Sequence, residues 1–338
     1  MLNRSVRILL AGVPLGFSLL FAAEHTYSQQ KAQFTSYLPL IALPRTAAIV
    51  NPHSREDSRM FFHQIYRSTE GIASGWTGSI DGCVAGELAP RYRQSLQDRV
   101  NYFRAMAGVP ATIRFDSETS AQAQAAALMM SANGALSHAP PSTWRCYSAA
   151  GAEGAGRSNL FLGVHGPDAI TGFMQDVGHS NDIVAHRRWI LYPQTQQMGL
   201  GDVPATGAHQ DAQALLVLDA HTWDARPATR DDFVAWPPAG YVPYPVVFAR
   251  WSFAYPGADF SAATVGMRRD QAAIAVQQAA PRSGYGENTL VWMPVGMESG
   301  DAWPQPTADT VYTITIEHVL IDGMSRDFTY TVTVFDPA

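Results

Sequence analysis

The stretch Val184-Ala185-His186-Arg187-Arg188-Trp189-Ile190-Leu191-Tyr192-Pro193, followed by Met198-Gly199-Leu200-Gly201, decides how the middle of this chain is read. It joins a histidine and two arginines to an apolar, aromatic run, which Pro193 ends, and then to a short strand candidate at 198–201. Trp189 reads as core, and the arginines read as partners for carboxylates. A second short strand is expected at 214–218. Upstream, Leu96, Val100, Phe103 and Ala107 fall on one face of a helix over 95–107, which Gly108 and Pro110 close. Asp116 and Ser117 are placed to cap a second, alanine-rich helix through Ala121, Ala125, Leu128 and Ala132 to Asn133-Gly134. A third helix is expected over 167–175, with Pro167 in its first turn and Ile170, Phe173 and Met174 inward. Helices and strands thus intermingle, as in a layered α/β or α+β domain.

Outward from this region, the chain of 338 residues exceeds what one core usually organises, so two packed domains are expected. Apolar residues make up 46% and charged residues 15%, the balance of a globular protein. The net charge of −6 comes without a basic stripe, which argues against a nucleic-acid partner. After Asp232 the pattern changes. Aromatic and proline-rich pieces lead into Tyr312, Ile314, Ile316, His318 and Leu320 alternating with polar residues. The turn pair Asp322-Gly323 follows, and then Phe328, Tyr330, Val332 and Val334. This period-two alternation across a turn predicts a hairpin within an all-β Ig-like sandwich, with His318 on its inward or edge side. Trp251, Tyr255 and Trp292 are read as packing residues in preference to a carbohydrate surface.

Residues 1–23 combine a basic start, an apolar run from Ile8 to Ala23 interrupted by Pro14, and small residues before Glu24. That is the pattern of an export signal, so a secreted or periplasmic location is expected, with no integral membrane span after processing. Residues 24–87 show no sustained period and read as an irregular N-terminal extension. The two cysteines, Cys83 and Cys146, form an even pair in a chain expected to be exported, which favours a disulfide over a metal or redox site.

The polar residues of interest gather between 137 and 202. Two histidines and two carboxylates there could converge on a divalent metal such as zinc, with positions left open for water. The chain has no H-E-x-x-H, no G-x-S-x-G, no cysteine pair at zinc-finger spacing and no glycine-rich phosphate loop.

These residues carry a resemblance. Arg99-Val100-Asn101-Tyr102-Phe103-Arg104 with Gly108-Val109-Pro110, the alanine-rich helix, Leu136-Ser137-His138, Gly151-Ala152-Glu153, Ser158-Asn159-Leu160, and His186-Arg187 followed by Ile190, Leu191, Pro193 and Met198 to Gly201 together resemble a CAP domain. This is the fold of cysteine-rich secretory proteins, antigen 5 and class 1 pathogenesis-related proteins. The resemblance implies a CAP domain of α-β-α sandwich form over 88–226, followed by the β-sandwich over 232–338, an α+β chain. It also implies a cleft with two histidines and two acids. His138 matches the first histidine, Glu153 the first acid, His186 the second histidine and Asp176 the second acid. At Asp176 the family usually has Glu, and Phe173 stands where it usually has Trp. His179, in Gly178-His179-Ser180-Asn181, imitates the family's Gly-His step and competes with His186. The latter is preferred because Arg187, Ile190, Leu191, Pro193 and the 198–201 run follow it at the family's intervals. Asn159, His179 and Arg187 complete the expected cleft.

Three readings of function follow. The first is a secreted binding module that takes a divalent metal, zinc foremost, and an extracellular small molecule, lipid, glycan or protein. The second is a metal-dependent hydrolase of peptide or cell-wall substrates, in which Glu153 acts as general base. The third is a structural surface protein without metal.

Overall fold

The computed structural model describes residues 49–338. The expected export signal and the expected extension up to residue 48 lie outside the described residues. The rest of that extension is less irregular than its sequence suggests. Helix α1 (Arg55–Phe61) begins where the Ser54 hydroxyl accepts the Asp57 amide and Glu56 and Asp57 face the helix's positive end. It continues through a wider turn at Phe62–Tyr66 and a tight one at Arg67–Thr69. Its sequence signal is weak because the segment is short. Its stability comes from rings, with Phe61 and Tyr66 each packing 5.1 Å from Tyr102.

The middle of the chain has three layers. Helix α2 (Pro90–Ala107) starts on a proline and stops at Gly108, which has φ of 77°. Strand β1 (Arg114–Phe115) leads into α3 (Ser117–Asn133), whose first turn is capped by the Asp116 carboxylate accepting the Thr119 amide. Helix α4 (Ala149–Gly156), β2 (Ser158–Leu162), α5 (Gly166–Gln175), α6 (Ala185–Ile190), β3 (Gln197–Val203) and β4 (Ala212–Leu216) follow. The sheet runs β1-β3-β4-β2, with β1 parallel to β3 and the other pairs antiparallel.

Alternation along the strands sorts the two faces. Met198, Leu200 and Leu215 join the core beneath α2 and α5, whereas Val203, Ala212, Ala214 and Leu216 join the core beneath α3. Gly199 and Gly201 lie under α3, where a β-carbon would run into the Thr119 and Ala123 carbonyls. The alanines of α3 and the glycines of β3 therefore serve one purpose, the close approach of helix to sheet. The bridge between Cys83 and Cys146 is formed, with Cα atoms 5.0 Å apart, and ties the chain before α2 to the loop before α4.

The C-terminal region is all-β. One sheet is ordered β10-β11-β7-β5 and the other β6-β13-β12-β8-β9. The strands are β5 (Val234–Trp236), β6 (Gly240–Pro243), β7 (Trp251–Ala254), β8 (Thr264–Arg269), β9 (Ala272–Ile274), β10 (Val276–Gln278), β11 (Thr289–Pro294), β12 (Thr310–Ile321) and β13 (Met324–Phe335). The sheets meet face to face through rings: Trp251 lies 5.7 Å from Tyr312, and Phe253 lies 5.0 Å from Phe328. Trp251 and Trp292 are buried in this core, as expected from sequence.

The hairpin β12-β13 turns at Asp322 and Gly323, both with positive φ, as a two-residue connection requires. His318 departs from expectation. The register slips between Ile316 and Val319, His318 takes φ of 61° and is exposed, and Val319 occupies the inward place. One apolar core joins the helical and sheet regions, with Phe103 of α2 packing 5.2 Å from Trp236 of β5. No helix among the described residues is long and apolar enough to cross a membrane.

Candidate functional site

Helix α5 ends at Asp176, which adopts the left-handed conformation with φ of 59° and donates its amide to the Gly172 carbonyl. The chain then makes a short turn at His179–Asn181 and re-enters helix at α6 through Val184, with φ of 48°. A β-branched residue is costly in that region, so the packing around Val184, which is fully buried, holds the turn in place. The turn folds α6 back onto the Asp176 carboxylate. Oδ2 accepts the His186 amide at 3.0 Å, and Oδ1 accepts Nδ1–H of the His186 ring at 2.7 Å. One buried carboxylate therefore caps a helix and fixes an imidazole.

Because a carboxylate only accepts in this contact, Nδ1 carries the proton, so the lone pair of the neutral tautomer is at Nε2. The His186 side chain is 23% exposed, its ring packs 5.5 Å from Phe173, and no hydrogen bond from a described residue reaches Nε2.

His138 has the same polarity. Its Nδ1 donates to the Ala155 carbonyl at 2.9 Å, and the residue is exposed. The α4–β2 junction touches both histidine segments: Ala155 receives the His138 ring, and the Asn159 amide donates to the His186 carbonyl at 3.0 Å. Glu153 is exposed on α4 and pairs with Arg157 at 3.4 Å. His179 is exposed on its short turn.

The expected four-ligand set is not assembled. Asp176 is 1% exposed and both its oxygens are engaged by His186, so it orients a histidine and is not a direct ligand. No group of three or more His, Cys, Asp or Glu side chains among the described residues could hold a metal ion. The donor chemistry that does fit a metal is the two imidazoles with Nε2 left free.

Arg187, expected in the cleft, lies instead beneath α6. It is 1% exposed and donates to the carbonyls of Met174 and Arg250 and to the Ser252 hydroxyl. Burial pulls its pKa down to about 9, against the opposing charge of Asp176. Neither Arg187 nor Arg188 forms an ion pair among the described residues; Arg188 donates to the carbonyls of Arg282 and Glu287. Both arginines fasten α6 to the C-terminal sheets through backbone oxygens, where carboxylate partners were expected.

Sequence reading missed Arg250. Its guanidinium donates to the Asp176, Asn181 and Gly178 carbonyls and so fixes the turn that carries Asp176. Nothing in its local sequence marks it, because its partners are backbone oxygens far away in the chain.

A second carboxylate–histidine pair was also missed. Buried Asp202 of β3 accepts from Tyr92 at 2.7 Å, from the Gln213 amide at 2.7 Å and from the Gly166 amide at 2.8 Å, and lies 3.2 Å from His165 Nδ1. The hydrogen bond to Asp202 raises the His165 pKa, against burial, while burial and the nearby Asp202 charge raise that of Tyr92. A groove of about 670 Å³ between α2, the start of α3 and residues 85–88 includes none of the expected cleft residues.

Residues 97–213 match the family model described as CAP, the cysteine-rich secretory protein family. The search of curated proteins returned no match. Among solved structures, PcoC, a methionine-rich copper resistance protein from Escherichia coli, is similar at 16% identity. The match covers 30% of this chain and 92% of that one, with a TM-score of 0.22. Its selenomethionine form is similar at 14% identity, over 32% of this chain and 99% of the other, with a TM-score of 0.23. The layered helices and sheet described above and the family match agree: residues 97–213 are a CAP domain, and the chain continues from it into an all-β region.

Proposed function

We propose that this chain is an exported CAP-domain binding protein whose cleft centres on His186 and takes an extracellular ligand together with a divalent metal, zinc foremost. The observation that supports this reading is the Asp176–His186 pair. A buried carboxylate fixes the ring so that an unpartnered Nε2 faces outward, the arrangement that carboxylates give to metal-binding histidines. His138 is set in the same tautomer by the Ala155 carbonyl. A metal would be held by Nε2 of His138 and His186, with its other positions taken by water or ligand. Such a site is labile and suits exchange more than structural locking. The disulfide fits export into an oxidising compartment.

The same pair favours one alternative, a hydrolase. An aspartate-oriented histidine can act as general base toward water, and Glu153, exposed on α4, is the further acid that the family resemblance assigns to the cleft.

Calorimetric titration of the full chain with zinc tests the proposal. Wild type is expected to bind at pH 7.5, and His138→Ala/His186→Ala is expected to lose at least tenfold in affinity with its circular dichroism unchanged. Equal binding by both proteins, or none by wild type, would overturn the metal reading. Hydrolysis of peptide or cell-wall polymers that is abolished by Glu153→Gln would favour the enzyme over the binder.

A further inference from the structure

Beneath α6, where the helix meets the C-terminal sheets, there is a cavity of about 20 Å³ whose wall includes Arg187, Arg188, Ser252, Glu287 and Thr289. Both guanidiniums are nine-tenths buried or more, and each carries one buried nitrogen whose hydrogens meet no acceptor among the described residues: Nη2 of Arg187 and Nε of Arg188. Leaving a charged donor unpaired in the interior is expensive, and such groups are almost always satisfied by something.

Three of the other polar side chains of the wall are already engaged. The Ser252 hydroxyl accepts from Arg187, the Thr289 hydroxyl donates to the Glu287 carbonyl, and the Glu287 carboxylate is taken by Arg226.

The charges around the cavity do not balance. Asp176 bears on Arg187 and Arg250, Glu287 pairs with Arg226, and Asp182 bears on Arg250 as well as pairing with Arg282. Arg187, Arg188, Arg226, Arg250 and Arg282 thus outnumber the carboxylates Asp176, Asp182 and Glu287 among them. A water molecule could accept from the two orphaned nitrogens but would leave the charge standing. A small anion answers both demands. A void able to hold one water needs about 10–15 Å³ by this measure, so the space takes one particle of water's size or slightly larger and excludes a sulfate. Leu191, Pro193, Val234 and Ala254 make the rest of the wall apolar apart from Tyr192, which suits a polarisable, weakly hydrated ion.

We propose that this cavity is a binding site for one monovalent anion of chloride's size, which accepts from Arg187 Nη2 and Arg188 Nε and clamps α6 to the β-region. The site is distinct from the His186 cleft and does not depend on metal binding there.

The test uses the full wild-type chain, exchanged into sodium gluconate and titrated with sodium chloride or bromide at constant ionic strength and with no divalent metal present. A rise in Tm that grows with the logarithm of halide concentration is expected, reaching about 3 °C at tenfold above the dissociation constant. Crystals grown in bromide are expected to show an anomalous peak within hydrogen-bonding distance of both donor atoms. A Tm that follows ionic strength alone, or a bromide crystal with water in the cavity, would overturn the proposal.

Discussion

Asp176 joins three features that are usually separate: a left-handed helix end, a cap for the following helix and an anchor for an imidazole. Asp suits the position because a short polar side chain tolerates positive φ and folds back onto nearby amides. Glu, with its longer reach, would not hold the ring at the same distance. The family resemblance located this residue, but its role could not be read from spacing, because burial and the partners of each oxygen depend on the turn at Val184. Asp176→Asn keeps the size and the backbone preference but leaves the His186 amide facing an NH2 group or the ring without its acceptor. A loss of about 2 kcal/mol in urea-induced unfolding is expected, together with weaker zinc binding. Unchanged stability would mean that the carboxylate is not carrying these bonds.

Two short linkages repeat one device. The amide at the start of α5 is accepted by Asp202, and one near the start of α6 by Asp176. Each carboxylate comes from a different element and also engages a histidine. Elements with strong local signals were legible from sequence. Helix α3 begins and ends at its predicted caps, and the turn at Asp322-Gly323 is where the alternation placed it. Helix α4 was not legible, since Ala149–Gly156 is glycine-rich and its helical form rests on close packing against α3, where Gly151 and Gly154 approach Ala125 and Gln122. The bulge that turns His318 outward left no local mark either.

Asp202 gives this scale its prediction. The folded-state pKa of His165 is raised, chiefly by its hydrogen bond to Asp202, so the folded chain holds that proton more tightly than the unfolded one. The stabilisation is complete below the ordinary histidine value of about 6.5 and is lost as pH rises through the folded value. The urea midpoint of wild type is expected to fall relative to that of His165→Gln between about pH 6 and 8. Parallel profiles would contradict the linkage.

At the scale of the whole molecule, the CAP region and the sheets share one apolar core, and Arg187, Arg188 and Arg250 knit them through backbone carbonyls. The sequence showed the two characters of the chain, helical then alternating, but not this seam, because bonds from arginine to a distant carbonyl have no periodic signature. The disulfide closes a loop of 63 residues that contains all of α2 and α3. Cys83→Ala/Cys146→Ala is expected to lower stability by roughly 4 kcal/mol in the chain-entropy model while retaining the helical circular dichroism. A change below 1 kcal/mol would show that the loop is already constrained without the bridge.

The claim on which the functional account rests is that His138 and His186 both carry the proton on Nδ1 and offer Nε2 outward. Long-range proton–nitrogen correlation spectra of the nitrogen-15-labelled chain at pH 8, before and after zinc, test it most directly. Protonated Nδ1 and unprotonated Nε2 are expected in both rings, with zinc moving the two Nε2 resonances together. A ring protonated at Nε2, or Nε2 resonances that ignore zinc, would contradict the account.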